Sequence, residues 1–298
     1  MIEKAVNVGP ARLEIAYERI GDPHAPPVLL IMGLGAQLIT WPDRFCDELV
    51  GRGLHVIRFD NRDAGQSTHL TSAPAPDMLA ALAGNHASAS YTLSDMAADT
   101  VGLLDVLGIR SAHLVGASLG GFVAQTVAIE YAQRVRSLTS IMSTTGDRTV
   151  GQPHPEAMRA LGGAPPTTRD EVVQRMVEVA RATGSPGFPP DPALVAERAG
   201  RAFDRAFDPI GMVRQAVAAV ASGDRTARLR ALDVPALVIH GDGDKLVDVS
   251  GGRATAGAIP NAELLVIEGM GHDLPAALWP ELAARIAGIV ERGEARLQ

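Results

Sequence analysis

The sequence has very little cysteine: one residue, Cys46, among 298. A lone cysteine cannot form an internal disulfide, so a disulfide-stapled scaffold is excluded and a reducing compartment is indicated. Phe45, Cys46, Leu49 and Val50 fall on one side of a helical wheel. This pattern predicts that Cys46 packs inside a buried helix, in preference to acting as a catalytic thiol.

Long apolar runs and blocks of basic residues are also missing. No stretch approaches the roughly 18 residues of a membrane span, and the opening segment MIEKAVNVGPARLE is polar and charged. The formal net charge is -7 without a basic cluster, which disfavours nucleic acid and anionic membrane surfaces as partners. We therefore expect a soluble cytoplasmic protein with no leader peptide and no transmembrane segment.

The sequence contains neither internal repeats nor low-complexity segments, but strand and helix patterns alternate along it. Residues 12–20, RLEIAYERI, are typical of an antiparallel strand, and short continuous apolar runs predict strands that are buried on both faces. These runs are PPVLLIM (26–32), LHVIRF (54–59), SAHLVG (111–116), VRSLTSIM (135–142), ALVIHG (236–241) and AELLVIEG (262–269). Helical patterns lie near residues 41–52, 92–108, 119–133, 250–259 and 275–293. The alternation predicts an α/β fold with a mostly parallel sheet covered by helices on both faces.

One segment interrupts the alternation. Residues 144–222 contain helical patterns separated by proline-rich joints and no convincing strand. We predict a helical cap over the carboxyl ends of the strands, with residues 1–143 and 223–298 forming the core. An independent helical domain is the alternative.

Ser118 stands between two glycines in HLVGASLGGFVAQ, residues 113–125. A G-x-S-x-G match is weak by itself, but this one lies where a predicted strand meets a predicted helix, as a nucleophile elbow requires. Gly116 and Gly120 leave room for strand and helix to cross at the sharp turn. Ser118 is therefore the predicted nucleophile, and the alternative is a small polar residue in a glycine-rich turn.

A serine nucleophile needs a base and a residue that orients the base. Of the eight histidines, His272 in IEGMGHDLP follows the last predicted strand, on the same side of the sheet as Ser118. His240 ranks second, and packing at a strand end is its preferred role. Asp244 in HGDGDKLVD is the preferred acid. Asp242 and Asp147 are the alternatives.

The negative charge of a tetrahedral intermediate also needs N–H donors. Leu119, directly after the nucleophile, offers one backbone N–H group. The glycine-containing segment IMGLGAQ after the first buried strand offers the other, and Leu34 is the predicted donor there. An ordinary glycine turn is the alternative interpretation of this segment.

The segments MGLGAQ, FDNRDAGQST, GASLGG, VIHGDGD and GMGH stand in the order seen in the α/β-hydrolase fold family. The chain resembles this family over nearly its whole length apart from the cap, and within it the actinobacterial esterases and lipases related to aclacinomycin methylesterase. The resemblance implies an eight-stranded sheet, a helical cap between strands six and seven, and a triad of Ser118, Asp244 and His272. It further implies a structural, non-catalytic turn, formed by Asp60, Arg62, Asp63 and Gly65. Many relatives have His-Gly where this chain has Met32-Gly33, which changes a pocket wall.

These residues predict a serine esterase or lipase that acts on a small-molecule ester and needs no metal or organic cofactor. The zinc-ligand spacings of cysteine and histidine are absent from the sequence. Thioester hydrolysis, carbon–carbon bond hydrolysis and cofactor-free perhydrolysis by the same triad are alternatives, and a non-catalytic ligand-binding role is disfavoured by the complete triad. An apolar acyl or alcohol group is expected, and the candidate pocket residues in the cap are Met158, Phe203, Phe207 and Met212. Packing between cap helices is the preferred role of each one taken alone.

Overall fold

The computed structural model describes residues 1–297, which contain an eight-stranded sheet. The strands are β1 (Glu3–Val8), β2 (Leu13–Ile20), β3 (Pro27–Ile31), β4 (His55–Phe59), β5 (Ala112–Ala117), β6 (Val135–Ile141), β7 (Ala236–Gly241) and β8 (Glu263–Ile267). Their order across the sheet is β1-β2-β4-β3-β5-β6-β7-β8. β2 runs antiparallel to β1 and β4, and the remaining pairs are parallel, which confirms the predicted fold class.

Helices follow most strands and form a long insertion between β6 and β7. They are α1 (Asp43–Val50), α2 (Met78–Leu82), α3 (Leu93–Val106), α4 (Leu119–Glu130), α5 (Pro155–Leu161), α6 (Arg169–Thr183), α7 (Pro192–Arg205), α8 (Pro209–Ser222), α9 (Thr226–Leu229), α10 (Val249–Ala258) and α11 (Trp279–Ala295). Single 3₁₀ turns lie at Leu38–Thr40, Ala132–Arg134 and Ala276–Leu278. None of the helices in residues 1–297 is both long enough and apolar enough to cross a bilayer.

Two hydrophobic cores lie on the two faces of the sheet, because successive side chains of a buried strand point to opposite faces. In β3, Leu29 and Ile31 join the core beneath α3 and α4. Val28 and Leu30 join the core beneath α1 and α11. The continuous apolar run of this strand therefore reflects burial on both faces.

Two edge strands differ from the sequence-based expectation. β1 did not show a strand pattern, because only Ala5 and Val8 of this edge strand are buried and its pairing with β2 shifts register between them. β8 was predicted to be buried on both faces, and this is wrong. It is the other edge of the sheet, where Leu264 and Val266 remain 41% and 36% exposed.

The insertion between β6 and β7 consists of α5 to α9. The first four helices coincide with the helical patterns of residues 144–222, and each begins at a recognisable N-terminal signal. Thr168 and Glu171 form a capping box at α6, and the carboxylates of Asp191 and Asp208 cap α7 and α8 ahead of a proline. The short helix α9 was missed by sequence patterns, because its four residues are too few to show a period.

The packing of α4 against the end of β3 leaves no space for a side chain at Gly120. A Cβ atom added there would lie 2.0 Å from the carbonyl oxygen of Ile31. We expect Gly120→Ala to lower the free energy of unfolding by about 3 kcal/mol or more, because backbone and not a flexible side chain must move. Urea denaturation measures the change.

Gly288→Ala in α11 is the matched control. A Cβ at Gly288 meets no atom of the described chain within 4 Å. Alanine favours a helix over glycine by up to about 1 kcal/mol, so this variant is expected to be as stable as the wild type or more stable. Equal stability of the Gly120→Ala protein and the wild type would contradict the proposed backbone contact.

Candidate active site

Ser118 lies at the sharp turn between β5 and α4. Its φ of 54° and ψ of -120° belong to a backbone region that residues with a side chain rarely adopt. The turn is held by the Ser118 amide, which donates to the Ile141 carbonyl at 2.9 Å. Gly116 permits the crossing as well, since a Cβ there would lie 2.1 Å from the Gly120 carbonyl oxygen. The local geometry is that of a nucleophile elbow.

His272 lies in the loop between β8 and α11 and faces the serine. Its Nε2 is 3.0 Å from Ser118 Oγ, and its Nδ1 is 2.7 Å from Asp244 Oδ2. The imidazole therefore links the Asp244 carboxylate to the Ser118 hydroxyl group in a hydrogen-bonded row. With Nδ1 donating to the carboxylate, Nε2 is free to accept the serine proton.

Asp244 follows β7 and is buried. Its Oδ1 accepts hydrogen bonds from the backbone N–H groups of Leu246 and Val247 at 2.8 and 2.9 Å. Burial opposes ionisation, but the neighbouring side chains of His240 and His272 and the hydrogen bond from the Val247 amide outweigh it and lower the pKa of Asp244 to about 2. The carboxylate is thus ionised at neutral pH and oriented before any substrate binds.

The other candidates for base and acid have different partners. His240 is fully buried at the end of β7, where its Nε2 donates to the Val247 carbonyl at 2.8 Å and lies 3.5 Å from Asp244. Asp242 accepts from the Gly269 amide, and Asp147 accepts from Thr149 in its own loop. The structure therefore brings together Ser118, Asp244 and His272, whose catalytic roles stay predictions.

Two backbone N–H groups near the nucleophile lie next to it in the chain or follow a residue that contacts it: Leu119 directly follows Ser118, and Leu34 follows Gly33. Gly33 lies against the nucleophile, because a Cβ added there would be 3.1 Å from Ser118 Cβ. Within residues 1–297, the amides of Leu34 and Leu119 donate to no acceptor, whereas the neighbouring Gly35 amide does. The role of Leu34 and Leu119 as oxyanion donors stays a prediction.

Gln215 of α8 holds the loop that carries Leu34, and sequence patterns did not identify it. Its Oε1 accepts from the Gly35 amide at 2.8 Å, and its Nε2 donates to the Arg62 carbonyl at 2.7 Å. The side chain is fully buried. No local pattern relates Gln215 to Gly35, because 180 residues separate them.

The predicted pocket residues lie in three places. Met212 lies on the Leu34 loop, since a Cβ at Gly35 would be 2.8 Å from Met212 Cγ. Phe203 and Phe207 pack against each other with ring centroids 4.9 Å apart, and Met158 is exposed on α5. Contact with a substrate stays a prediction for all four residues.

Buried ion pairs join the turn after β4 to its surroundings. Within the core, Arg62 pairs with Asp99 at 2.6 Å. Two further pairs reach the insertion: Asp63 with Arg214 of α8 at 3.0 Å, and Asp60 with Arg205 of α7 at 2.6 Å. Each of these groups is at least nine-tenths buried, so removing one partner would leave an uncompensated charge.

Asp63, His69 and Asp208 are the group of described residues whose oxygen and nitrogen atoms are close enough to share a metal ion. However, both ring nitrogens of His69 are already engaged, at 2.7 Å from Asp208 and 2.9 Å from the Gly65 carbonyl. Burial opposes protonation, but these two hydrogen bonds outweigh it and raise the pKa of His69. With Arg214 also present, the group forms an ion-pair network.

Cys46 is fully buried in α1, in the core that also contains Phe45 and Leu49. Burial raises the pKa of its thiol to about 12. Its position in the core confirms the predicted packing role of Cys46. The raised pKa disfavours the thiolate, which is the reactive form of a cysteine.

Comparison with known proteins identifies the family of this chain. The family model described as alpha/beta hydrolase fold matches residues 26–275. Rhodomycin D methylesterase of Streptomyces peucetius is 32% identical, over 90% of this chain and 92% of that protein. A 2-hydroxy-6-oxononadienedioate/2-hydroxy-6-oxononatrienedioate hydrolase of Paraburkholderia phymatum is 28% identical, over 90% and 88%.

A solved esterase from Rhodococcus sp. ECU1013 has the same fold, with a TM-score of 0.76 at 21% identity over 97% of this chain and 98% of the esterase. The family match spans most of the sheet and the segments that carry Ser118, Asp244 and His272. The chain belongs to the α/β-hydrolase fold family.

Proposed function

We propose that this protein is a serine hydrolase that cleaves a carboxylic ester through an acyl-enzyme on Ser118. Hydrolysis of ester bonds follows from the family and from the likeness to methylesterases. The observation that carries the finer proposal is the hydrogen-bonded row of Asp244, His272 and Ser118. The amides of Leu34 and Leu119, which donate to no acceptor within residues 1–297, support an anion site next to this nucleophile and base.

The first half of the reaction forms the acyl-enzyme. His272 Nε2 takes the proton from Ser118 Oγ while the oxygen attacks the ester carbonyl carbon. The carbonyl oxygen becomes negative and is bound by the amides of Leu34 and Leu119. The bond to the alcohol oxygen then breaks, and the proton held by His272 passes to the departing alkoxide.

The second half repeats the sequence with water. His272 takes a proton from a water molecule, whose oxygen attacks the acyl carbon and regenerates the oxyanion. Collapse of this intermediate returns the proton to Ser118 Oγ and releases the carboxylic acid. Asp244 keeps the Nδ1 proton of His272 in place through both halves.

A methyl ester of a small molecule is the first substrate class to test, because the rhodomycin D methylesterases are relatives over nine-tenths of the chain. Residues 144–222 are proposed as the cap over the site, with residues 1–143 and 223–298 as the core. Met212 supports this division, since it brings an apolar cap side chain onto the Leu34 loop. The expected substrate therefore has an apolar group close to the ester carbonyl.

The test combines trapping with a substrate panel. We expect a fluorophosphonate to label Ser118, and a rapid quench during turnover of a p-nitrophenyl ester to give a peptide containing an acylated Ser118, both read by mass spectrometry. The panel pairs methyl and p-nitrophenyl esters with a thioester and a vinylogous diketone. Cleavage of the diketone without any ester hydrolysis would reject the proposal in favour of carbon–carbon bond hydrolysis.

Ser143→Ala is the control for the assignment of the label. Ser143 is the buried serine whose Oγ donates to the Ser118 carbonyl at 3.0 Å, so it is the neighbour most easily confused with the nucleophile. Labelling is expected to persist in this variant. Loss of the label with Ser143, or a label found on another residue, would contradict the role of Ser118.

A further inference from the structure

The chain that leaves α6 runs beside the loop that carries His272. Residues 183–187 and 269–273 are joined by backbone hydrogen bonds at both ends of the contact. The His272 amide donates to the Thr183 carbonyl at 2.7 Å, and the Gly187 amide donates to the Gly269 carbonyl at 2.8 Å. We call residues 183–187 the cap clamp. It brings the proposed cap into direct contact with the proposed base.

Ser185 lies at the centre of the cap clamp and binds both neighbours of His272. Its Oγ accepts from the Gly271 amide at 2.8 Å and donates to Asp273 Oδ1. Its backbone amide donates to the same carboxylate oxygen at 2.9 Å. Ser185 is only 1% exposed, so water does not compete for these bonds.

Glycines allow the two segments to touch. A Cβ added at Gly271 would lie 2.4 Å from the carbonyl group of Gly184, and one added at Gly187 would lie 3.0 Å from Gly269 Cα. Pro186 reaches the turn of the proposed acid, since a Cβ at Gly243 would be 2.8 Å from its ring. The His272 loop therefore cannot shift alone without breaking contacts on both sides of the histidine.

We propose that Ser185 and Asp273 are positioning residues that fix the backbone on either side of His272, so that the cap clamp holds the imidazole in line with Ser118. The inference rests on the proposed function, since it concerns the base of that reaction. Asp244 sets the tautomer of the His272 imidazole, and the cap clamp sets the position of that ring relative to Ser118. A displacement of about 1 Å at a reacting group can reduce a rate about 100-fold.

The first variants remove the two partners. Ser185→Ala and Asp273→Ala are expected to lower kcat about 10- to 100-fold while KM stays within about twofold of the wild type. The rate constant for fluorophosphonate labelling of Ser118 is expected to fall in parallel. This rate reports the pairing of serine and base without the binding of an ester substrate.

Asp273→Asn separates position from charge. Asp273 uses Oδ1 for both bonds to Ser185, and an asparagine carbonyl oxygen can accept both. We expect this variant to keep at least about half of the wild-type kcat and the wild-type pH profile. A loss as large as that of Asp273→Ala would show that the charge matters, and would overturn the positioning role.

Ser222→Ala is the matched control for a hydrogen bond of the same kind away from the site. Ser222 ends α8 and accepts from the Leu93 amide at 2.9 Å, again joining the insertion to the core. Its loss is expected to lower Tm like that of Ser185 but to leave kcat and labelling unchanged. Equal losses of kcat in Ser185→Ala and Ser222→Ala would show a general effect of stability and would overturn the positioning role.

The outcomes keep this inference separate from the proposed function. If the wild-type protein neither hydrolyses esters nor labels at Ser118, the proposed function fails. If the wild type does both and Ser185→Ala, folded by circular dichroism, does both equally well, only the cap clamp inference fails. Should Ser185→Ala not fold, Asp273→Ala against Asp273→Asn gives the same decision.

Discussion

Ser118→Ala and His272→Ala are each expected to lower kcat for ester hydrolysis by about 10⁴-fold or more. The serine variant has no nucleophile, and the histidine variant cannot remove the proton from Ser118 Oγ, which lies 3.0 Å from Nε2. Because the two residues act as a unit, the double variant should be no slower than the single ones. Steady-state rates on one p-nitrophenyl ester measure all three.

Two controls show that such losses are chemical. Ser118→Gly is expected to be equally inactive but more stable by about 1 kcal/mol, because glycine adopts the φ of 54° without strain. His86→Ala removes an exposed histidine outside the site and should leave kcat unchanged. Wild-type turnover by Ser118→Ala or His272→Ala would end the proposed mechanism.

Asp244→Asn is expected to lower kcat by about 10³- to 10⁴-fold with little change in KM. The reason is the orientation of the new amide. Its oxygen must face the Leu246 and Val247 N–H groups, so its NH₂ group faces His272 Nδ1. The imidazole then carries its proton on Nε2 and cannot accept one from Ser118.

Stability adds a second measurement for the same variant. The pKa of Asp244 is lowered from 3.8 to about 2, so its ionised form stabilises the fold above about pH 4, and this contribution is lost as the pH falls through 2. The gap in Tm between wild type and Asp244→Asn should therefore narrow over that range.

Asp242→Asn provides the control for Asp244→Asn. Within residues 1–297 its Oδ1 accepts from the Gly269 amide alone, and an asparagine oxygen can accept the same bond. This variant should keep the wild-type kcat. Full activity of Asp244→Asn together with inactivity of Asp242→Asn would reverse the assignment of the acid.

Local patterns predicted those parts of the molecule whose chemistry is local. Continuous apolar runs predicted the inner strands, and the glycines around Ser118 predicted the elbow, because strand burial and a tight crossing each restrict residues close in sequence. The positions of Asp244 and His272 followed from one topological rule, that parallel strands present their carboxyl ends on one edge. This rule brings together residues 154 positions apart.

Contacts made by backbone groups and by edge strands could not be predicted in this way. Ser185 and Asp273 are 88 residues apart. A hydrogen bond between a serine hydroxyl and a distant backbone amide produces no periodic pattern in the sequence. For β8 the sequence pattern predicted too much burial: Leu264 and Val266 are apolar, but they are exposed because β8 is an edge strand. Hydrophobicity indicates that a segment can be buried, and topology decides whether it is.

Because Cys46 is buried, a cysteine introduced on the surface of this protein can be labelled selectively. Since this single native cysteine is fully buried and burial raises the pKa of its thiol to about 12, we expect it not to react with maleimides near neutral pH. A cysteine introduced at Met158, which is 53% exposed on α5, would be the one thiol available to a fluorophore. Movement of the proposed cap during turnover could then be followed by fluorescence in an otherwise unaltered enzyme.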